Sequence, residues 1–445
     1  MKKYSAKFWV IFWTISVVFL VGLYFLLQIK SGGVENVINY LPIGQENKTV
    51  ATLAEYFYNH DDIERTFLIL FQNNMEIRPG GGFIGSFGIL KIKNGSVTML
   101  QTHDTGNFDG RVPTTVPAPY PMWETLRIKS MQMRDSNYSP DFLTNATAAE
   151  NFYYMGQGQE KFDGIIGITT NVLTSLLKMT GPVQIEGYPG TYGDENAVLA
   201  LEYQVEKAYD EQNIPRGDRK SIMNDIAQEI IKKVFALSNA QKLDLYKILT
   251  EDLGRKDIQL FFKDQTLEDT VKKANWGGLV DENWQKDYLM TVDANLGAWK
   301  TDYSVKRSMD YTIDLSGETP KAILKITYNH TATQKDYMTK DYLTYLRVYV
   351  PDGSWLTTSS DFDNAKFGSE LGKKYFGSIV KVPLGQSRTV EINYTLPKEI
   401  SHNYNLKIQK QAGINDEPVT IHFIGSDGNK TDYNDILNSD FVLNN

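Results

Sequence analysis

Four short stretches of the chain hold side chains able to do chemistry. In NNMEIRPGGGFIGSFGILKI (73–92), Arg78 follows Glu76 by two residues and stands directly before Pro79 and three glycines. A guanidinium grips phosphate or carboxylate through paired N–H groups, or it closes an internal ion pair, with Glu76 or Asp104 as the partner. Gly80-Gly81-Gly82-Phe83-Ile84-Gly85 fits the G-x-G-x-x-G spacing of a dinucleotide turn. Such glycines either carry backbone N–H groups to an anion or make a tight bend against a neighbouring strand. Arg134-Asp135-Ser136-Asn137, with Asp141 after Pro140, is dense enough in polar groups for a metal or a sugar. The same residues also suit a loop stitched by Asx turns. Arg216, Asp218 and Arg219 precede a long amphipathic segment, as an anion-binding pair or as a helix cap flanked by solvated arginines. His103-Asp104 ends a strand-like run and brings a carboxylate close to the first stretch.

The elements around these residues decide between the readings. FLILF (67–71) is an apolar strand, and FGILKIKNGSVTMLQTHD (87–104) is a hairpin turning at Asn94-Gly95. A dinucleotide turn must open a helix, whose N-terminus holds the pyrophosphate. This glycine run opens a strand, so the spacing match is accidental. Helices are expected over 49–59, 144–156 with Thr144 or Asn145 as the cap, 171–181 closed by Gly181, 193–210 capped by Asp194, and 221–237. In the last, Ile222, Ile226, Ile230 and Val234 form one stripe. Strands are expected at 65–74, 162–170 and 182–187. Strands alternating with helices imply a three-layer α/β domain. Beyond Trp276-Gly277-Gly278 only short alternating strands remain, separated by Gly, Pro and Asp turns, which is the pattern of a β-sandwich. Asn295, Lys300 and Asp302 fall where the two units must join.

The 445 residues carry a net charge of −8, which excludes a basic nucleic-acid surface. No cysteine is present, so disulfides, thiol catalysis and Cys-ligated zinc are excluded. The five histidines lack metal-ligand spacing. The turn SDGNKTDYND (426–435) has its glycine misplaced for a calcium loop. Residues 8–28 are apolar and uncharged, preceded by Lys2, Lys3 and Lys7. About 20 such residues span a bilayer, and lysines on the near side place the N-terminus inside. An uncleaved signal anchor is therefore expected, with the bulk of the chain extracytoplasmic and a single pass through the cell membrane.

The stretches QNNMEIRPGGGFIGSFG (72–88), RDSNYSPDF (134–142), FDGIIGI (162–168) and DANLGAWKTDY (293–303) resemble, in this order, the bacterial domain of unknown function 4012 family. More distantly, GILKIKNGSVTMLQTHDT, FDGIIGITTNVLTSLLKMTGPVQIEG, ENAVLALEYQ and DRKSIMNDIAQEIIKK are similar to parts of the LytR-CpsA-Psr family. That second resemblance implies a polyprenyl-pyrophosphate lipid as ligand and transfer of its glycopolymer to the cell wall. Arginines would hold the pyrophosphate, and an acid with a divalent cation such as Mg would neutralise developing charge. It puts Asp104 at the motif's acid, with His103 where the motif has arginine. Gly85-Ser86 stands in place of a metal-holding Asp-Thr, and Val205-Glu206 in place of paired arginines.

The expectation is thus a cytoplasmic N-terminus (1–7), a transmembrane signal anchor (8–28), a stalk with a short helix (29–64), a LytR-CpsA-Psr-like α/β domain (65–305) and an all-β sandwich (306–445). Asp104, Arg78 and Arg219 are the expected catalytic residues. Arg134, Asp135, Asn137, Arg216 and Asp218 are expected to bind ligand. The expected activity is binding of a polyprenyl-pyrophosphate-linked glycopolymer and, for an enzyme, its phosphotransfer. The alternative is a non-catalytic surface scaffold that meets its partner through the sandwich.

Overall fold

A computed structural model describes residues 44–215, 219, 221–401 and 403–444. The expected anchor over 8–28 and the stalk before residue 44 lie outside the described residues. Among the described residues, no helix is long and apolar enough to cross a membrane.

Helix α1 (Gln45–Tyr58) leads into strands β1 (Glu64–Asn73), β2 (Phe83–Lys93) and β3 (Ser96–Asp104). The β2–β3 turn is Asn94-Gly95, both at positive φ, as a two-residue hairpin requires. Short helices α2 (Thr105–Asp109) and α3 (Tyr120–Thr125) follow, then α4 (Phe142–Met155), β4 (Gly164–Thr169), α5 (Asn171–Thr180) and α6 (Ala197–Tyr203). Helix α6 runs on through a π turn, Gln204–Ala208, to Glu211. Helices α7 (Ser221–Phe235) and α8 (Asn239–Gly254), β5 (Ile258–Phe262) and α9 (Gln265–Lys273) complete the unit.

The sheet order is β3-β2-β1-β4-β5, with β1 and β4 parallel and the other pairs antiparallel. Alternation along β1 sends Phe67 and Ile69 to one face and Leu68 and Leu70 to the other. The first face packs against α1, α5 to α9, including the Ile222, Ile226, Ile230 and Val234 stripe. The second packs against α2 and α4 through Phe108, Phe142, Ala146 and Phe152. Helices therefore cover both faces of one sheet, giving three layers.

Three local expectations are corrected. Residues 182–187 form no strand and contribute only the isolated bridge Val183↔Tyr192. The cap of α4 is Asp141, whose carboxylate accepts from the Thr144 N–H. Helix α6 begins at Ala197 rather than near 193, and Asp194 does not cap it. Asp141 has the extended backbone of a cap, φ −98° and ψ 120°, which lets its carboxylate reach back to the first turn.

The rest of the chain is β6 (Asp287–Asn295), β7 (Val305–Asp314), β8 (Lys321–His330), β9 (Tyr342–Pro351), β10 (Trp355–Ser360), β11 (Lys366–Glu370), β12 (Lys373–Val382), β13 (Ser387–Thr395), β14 (Asn405–Ile408), β15 (Glu417–Ile424), β16 (Lys430–Leu437) and β17 (Phe441–Asn444). They make two six-stranded sheets, β10-β13-β8-β7-β15-β16 and β11-β12-β9-β6-β14-β17, around one shared core. The first strand of this sandwich is β6, which lies before the boundary expected at 306.

One carboxyl ties the two sheets together. Asp287 on β6 is fully buried and accepts hydroxyl bonds from Tyr404 at 2.6 Å and Tyr311 at 3.0 Å, and Tyr394 donates to the Tyr311 hydroxyl. Burial pushes Asp287 up to about 6 in spite of those donors. Its ordinary value is about 3.9, so the folded state holds the proton more tightly than the unfolded state. The contribution to stability is complete below about pH 4 and declines as the pH rises to about 6. Urea unfolding at intervals between pH 4 and 7 should show Asp287→Asn flattening that decline. Tyr404→Phe should cost about 1.5–3 kcal/mol at pH 7, as expected for a lost bond to a charged group.

Candidate functional site

Strands β1 and β4 run parallel and end together, with Phe71 opposite Ile168 and Gln72 opposite Thr169. Beyond their carboxyl ends the backbone diverges, into the glycine loop from β1 and into α5 from β4. In α/β sheets this divergence creates a crevice. Here it holds a cavity of about 340 Å³. Its apolar wall is Phe71, Val172, Leu173, Val198, Leu201 and Val205. Its polar end carries Glu76, Asp104, Arg134, Glu202, Glu206, Arg219 and Lys300. The cavity thus brings together three of the expected residues, Asp104, Arg134 and Arg219.

Each is positioned by local structure. Asp104 ends β3 opposite Ser86 in the β2–β3 ladder and caps α2, accepting from the Asn107 N–H at 3.2 Å. Arg134 follows a tight turn and pairs through Nε with Asp109 at 2.5 Å, while its side chain keeps about a third of its surface open. Burial pushes the Asp109 carboxyl up and Arg134 opposes that shift. Arg219 precedes α7 and lines the cavity.

Lys300 is the side chain whose place the sequence reading understated. It comes from the segment joining β6 to β7, yet it lines the cavity and pairs with Glu202 at 2.5 Å and Glu206 at 3.5 Å. Burial works against its charge, but Glu202 and Glu206 outweigh it and its pKa is raised. Glu202 lies just before the π turn and Glu206 within it, and such turns gather at functional sites. Their spacing of four on an expected helix was the available signal.

Other expected residues sit elsewhere. Arg78 is 3% exposed and is not on the cavity wall. It lies behind Phe83 and Glu76, pairing with Glu76 at 2.8 Å and donating to the Asn295 carbonyl of β6. Burial raises the Glu76 pKa, and Arg78 and then Lys300 pull against it. Asp135 accepts from the Gln132 N–H, and burial pushes it up to about 6. Asn137 donates to the Gly82 carbonyl and accepts from the Gly80 N–H, so it holds the glycine loop. The glycines make a close approach: a Cβ on Gly82 would strike the Asn73 backbone at 2.5 Å, and one on Gly413 would strike the Gly81 carbonyl. His103 stacks on Phe87 and does not line the cavity. Arg216 and Asp218 lie outside the described residues.

Arg78 therefore fastens the glycine loop to the sandwich. Removing one member of a buried pair costs about 3–5 kcal/mol. Arg78→Ala should lower unfolding stability by that amount in urea titrations. Arg134→Ala should cost about 1–3 kcal/mol: Arg134 is about a third exposed, but its loss leaves the buried Asp109 carboxylate without its cation.

Residues 62–205 match the family model described as "Protein of unknown function (DUF4012)". No curated protein matches the chain. Among solved structures it is similar to the Lin1025 protein of Listeria innocua, at 12% identity over 49% of this chain and 79% of that one, with a TM-score of 0.26. At that TM-score the likeness carries no argument. The matched residues include the glycine loop, the Arg134 turn and both parallel strands, which supports the resemblance to the domain of unknown function 4012 family over that span.

Proposed function

We propose that the cavity binds an amphiphile with an anionic head, in the form of a polyprenyl-phosphate or pyrophosphate carrier of an envelope glycopolymer. The observation that carries this reading is that one cavity is lined both by apolar side chains and by a set of charged ones. A prenyl chain would lie along Leu173, Val198, Leu201 and Val205, where burial of apolar surface favours it. Arg134 and Arg219 would face the phosphates. Lys300 would join them when the phosphate competes with Glu202 and Glu206. The distant LytR-CpsA-Psr resemblance supports the same ligand class, and the apolar segment 8–28, as a membrane tether, would hold the cavity near such a lipid.

Binding is the narrower reading, since Gly85-Ser86 stands where the LytR-CpsA-Psr resemblance implies a metal-holding Asp-Thr. Among the described residues, no group of three or more His, Asp or Glu side chains is placed to hold a metal ion. Asp104 is placed to orient a hydroxyl or a protonated phosphate at the charged end of the cavity.

The test is co-purification of the full chain from membranes, with mass spectrometry of bound lipid. Wild type should retain polyprenyl phosphate, and Arg134→Ala with Arg219→Ala should retain at least about tenfold less, since each charge-assisted contact is worth roughly a factor of ten. Leu201→Trp, which fills the apolar wall, should abolish retention with the arginines intact. Equal lipid in all three proteins would sink the reading.

A further inference from the structure

A second cavity, of about 450 Å³, lies between the α/β unit and the sandwich. It shares Met75, Thr170 and Val198 with the first, so the two are neighbours across one thin wall. Its character is different. Asp194 and Glu195 line it from the α/β side, and Tyr303, Lys306, Asp416 and Glu417 from the sandwich side.

Glu417 is the anomaly. It is 6% exposed at the start of β15, and its carboxyl accepts no hydrogen bond from any described residue. Arg307 is near, but its N–H groups are taken by Asp293, Asp302 and the Tyr342 hydroxyl. Burial pushes Glu417 up to about 7, with Arg307 and Lys410 pulling against it. Its carboxyl meets the cavity instead of a protein donor, so a bound hydroxyl could supply one. Close by, Tyr303 holds an aromatic ring 54% exposed on the same cavity.

We propose that this second cavity is a carbohydrate subsite, in which Glu417 and Asp194 accept hydroxyl bonds from a sugar and Tyr303 packs against its ring face. The proposal rests on the lipid-carrier reading, for the subsite would take the sugars attached to the carrier in the first cavity. The charge balance narrows the sugar class. Asp302 and Arg307 pair with each other, which leaves Asp194, Glu195, Asp416 and Glu417 against Lys306. Excess carboxylate repels phosphate-bearing polymers and suits neutral or amino sugars. A sugar hydroxyl in the cavity would supply Glu417 with a donor.

Titration of the full chain with the neutral trisaccharide of N-acetylglucosamine tests this, with saturation-transfer NMR and calorimetry as readouts. Wild type should bind it, and a poly(glycerol phosphate) oligomer should bind at least about tenfold more weakly. Glu417→Leu should weaken trisaccharide binding about tenfold or more while its melting temperature stays the same or rises. A purely structural carboxyl would instead give a lower melting temperature. Tyr303→Ala, at an exposed position, should weaken binding without changing stability. Trisaccharide binding unchanged in both variants, or absent in wild type, overturns the proposal. Polyprenyl phosphate without sugar should bind all three proteins alike. If it binds while the trisaccharide does not, the subsite falls and the lipid reading stands; if the reverse, the lipid reading falls alone.

Discussion

The arrangement depends on a guanidinium buried at the seam between two units. Arg78 leaves the α/β sheet on the glycine loop and ends against the Asn295 carbonyl of the sandwich, with Glu76 as its counter-charge. A buried arginine is costly unless its charge and N–H groups are met, and here both units contribute. The same loop is held again where the Ile77 N–H donates to Asp302, and where Gln411 donates to the Arg78 and Asp293 carbonyls. Asp302 is in turn fixed by Arg307 and Asn295. The loop is thereby over-determined, and rigid placement of a cavity wall follows from it.

Both cavities are products of that seam. The first opens where β1 and β4 diverge, and Lys300 from the sandwich side closes its charged end. The second lies directly between the units. Neither could form from the α/β domain alone, because Lys300, Tyr303 and Glu417 all come from the β-rich part of the chain. An apolar wall beside a polar one suits a ligand with two chemically distinct parts.

Much of the architecture was legible from local pattern. The stripe of Ile222, Ile226, Ile230 and Val234 marked a helix because four residues make about one turn, and each of these side chains is buried. Asn94-Gly95 marked the hairpin because both positions need positive φ. The segment 182–187 misled, since an apolar-polar alternation with no neighbouring strand within reach forms no ladder. The sandwich boundary was set too late because β6 is extended and buried on both faces, a pattern that belongs equally to an α/β sheet strand.

The sequence by itself determined most of the elements that form, that the glycine run enters a strand rather than a helix, and which charged side chains are candidates for a site. Only the tertiary structure decided which way each charge points. Arg78 and Arg134 are equally suited by type to hold an anion, yet one is buried in the seam and the other faces a cavity. Local periodicity governs which residues share a face of one element. The Arg78–Glu76 pair is local, but its burial is fixed by the contact with Asn295 across 217 positions, and no short-range pattern encodes that.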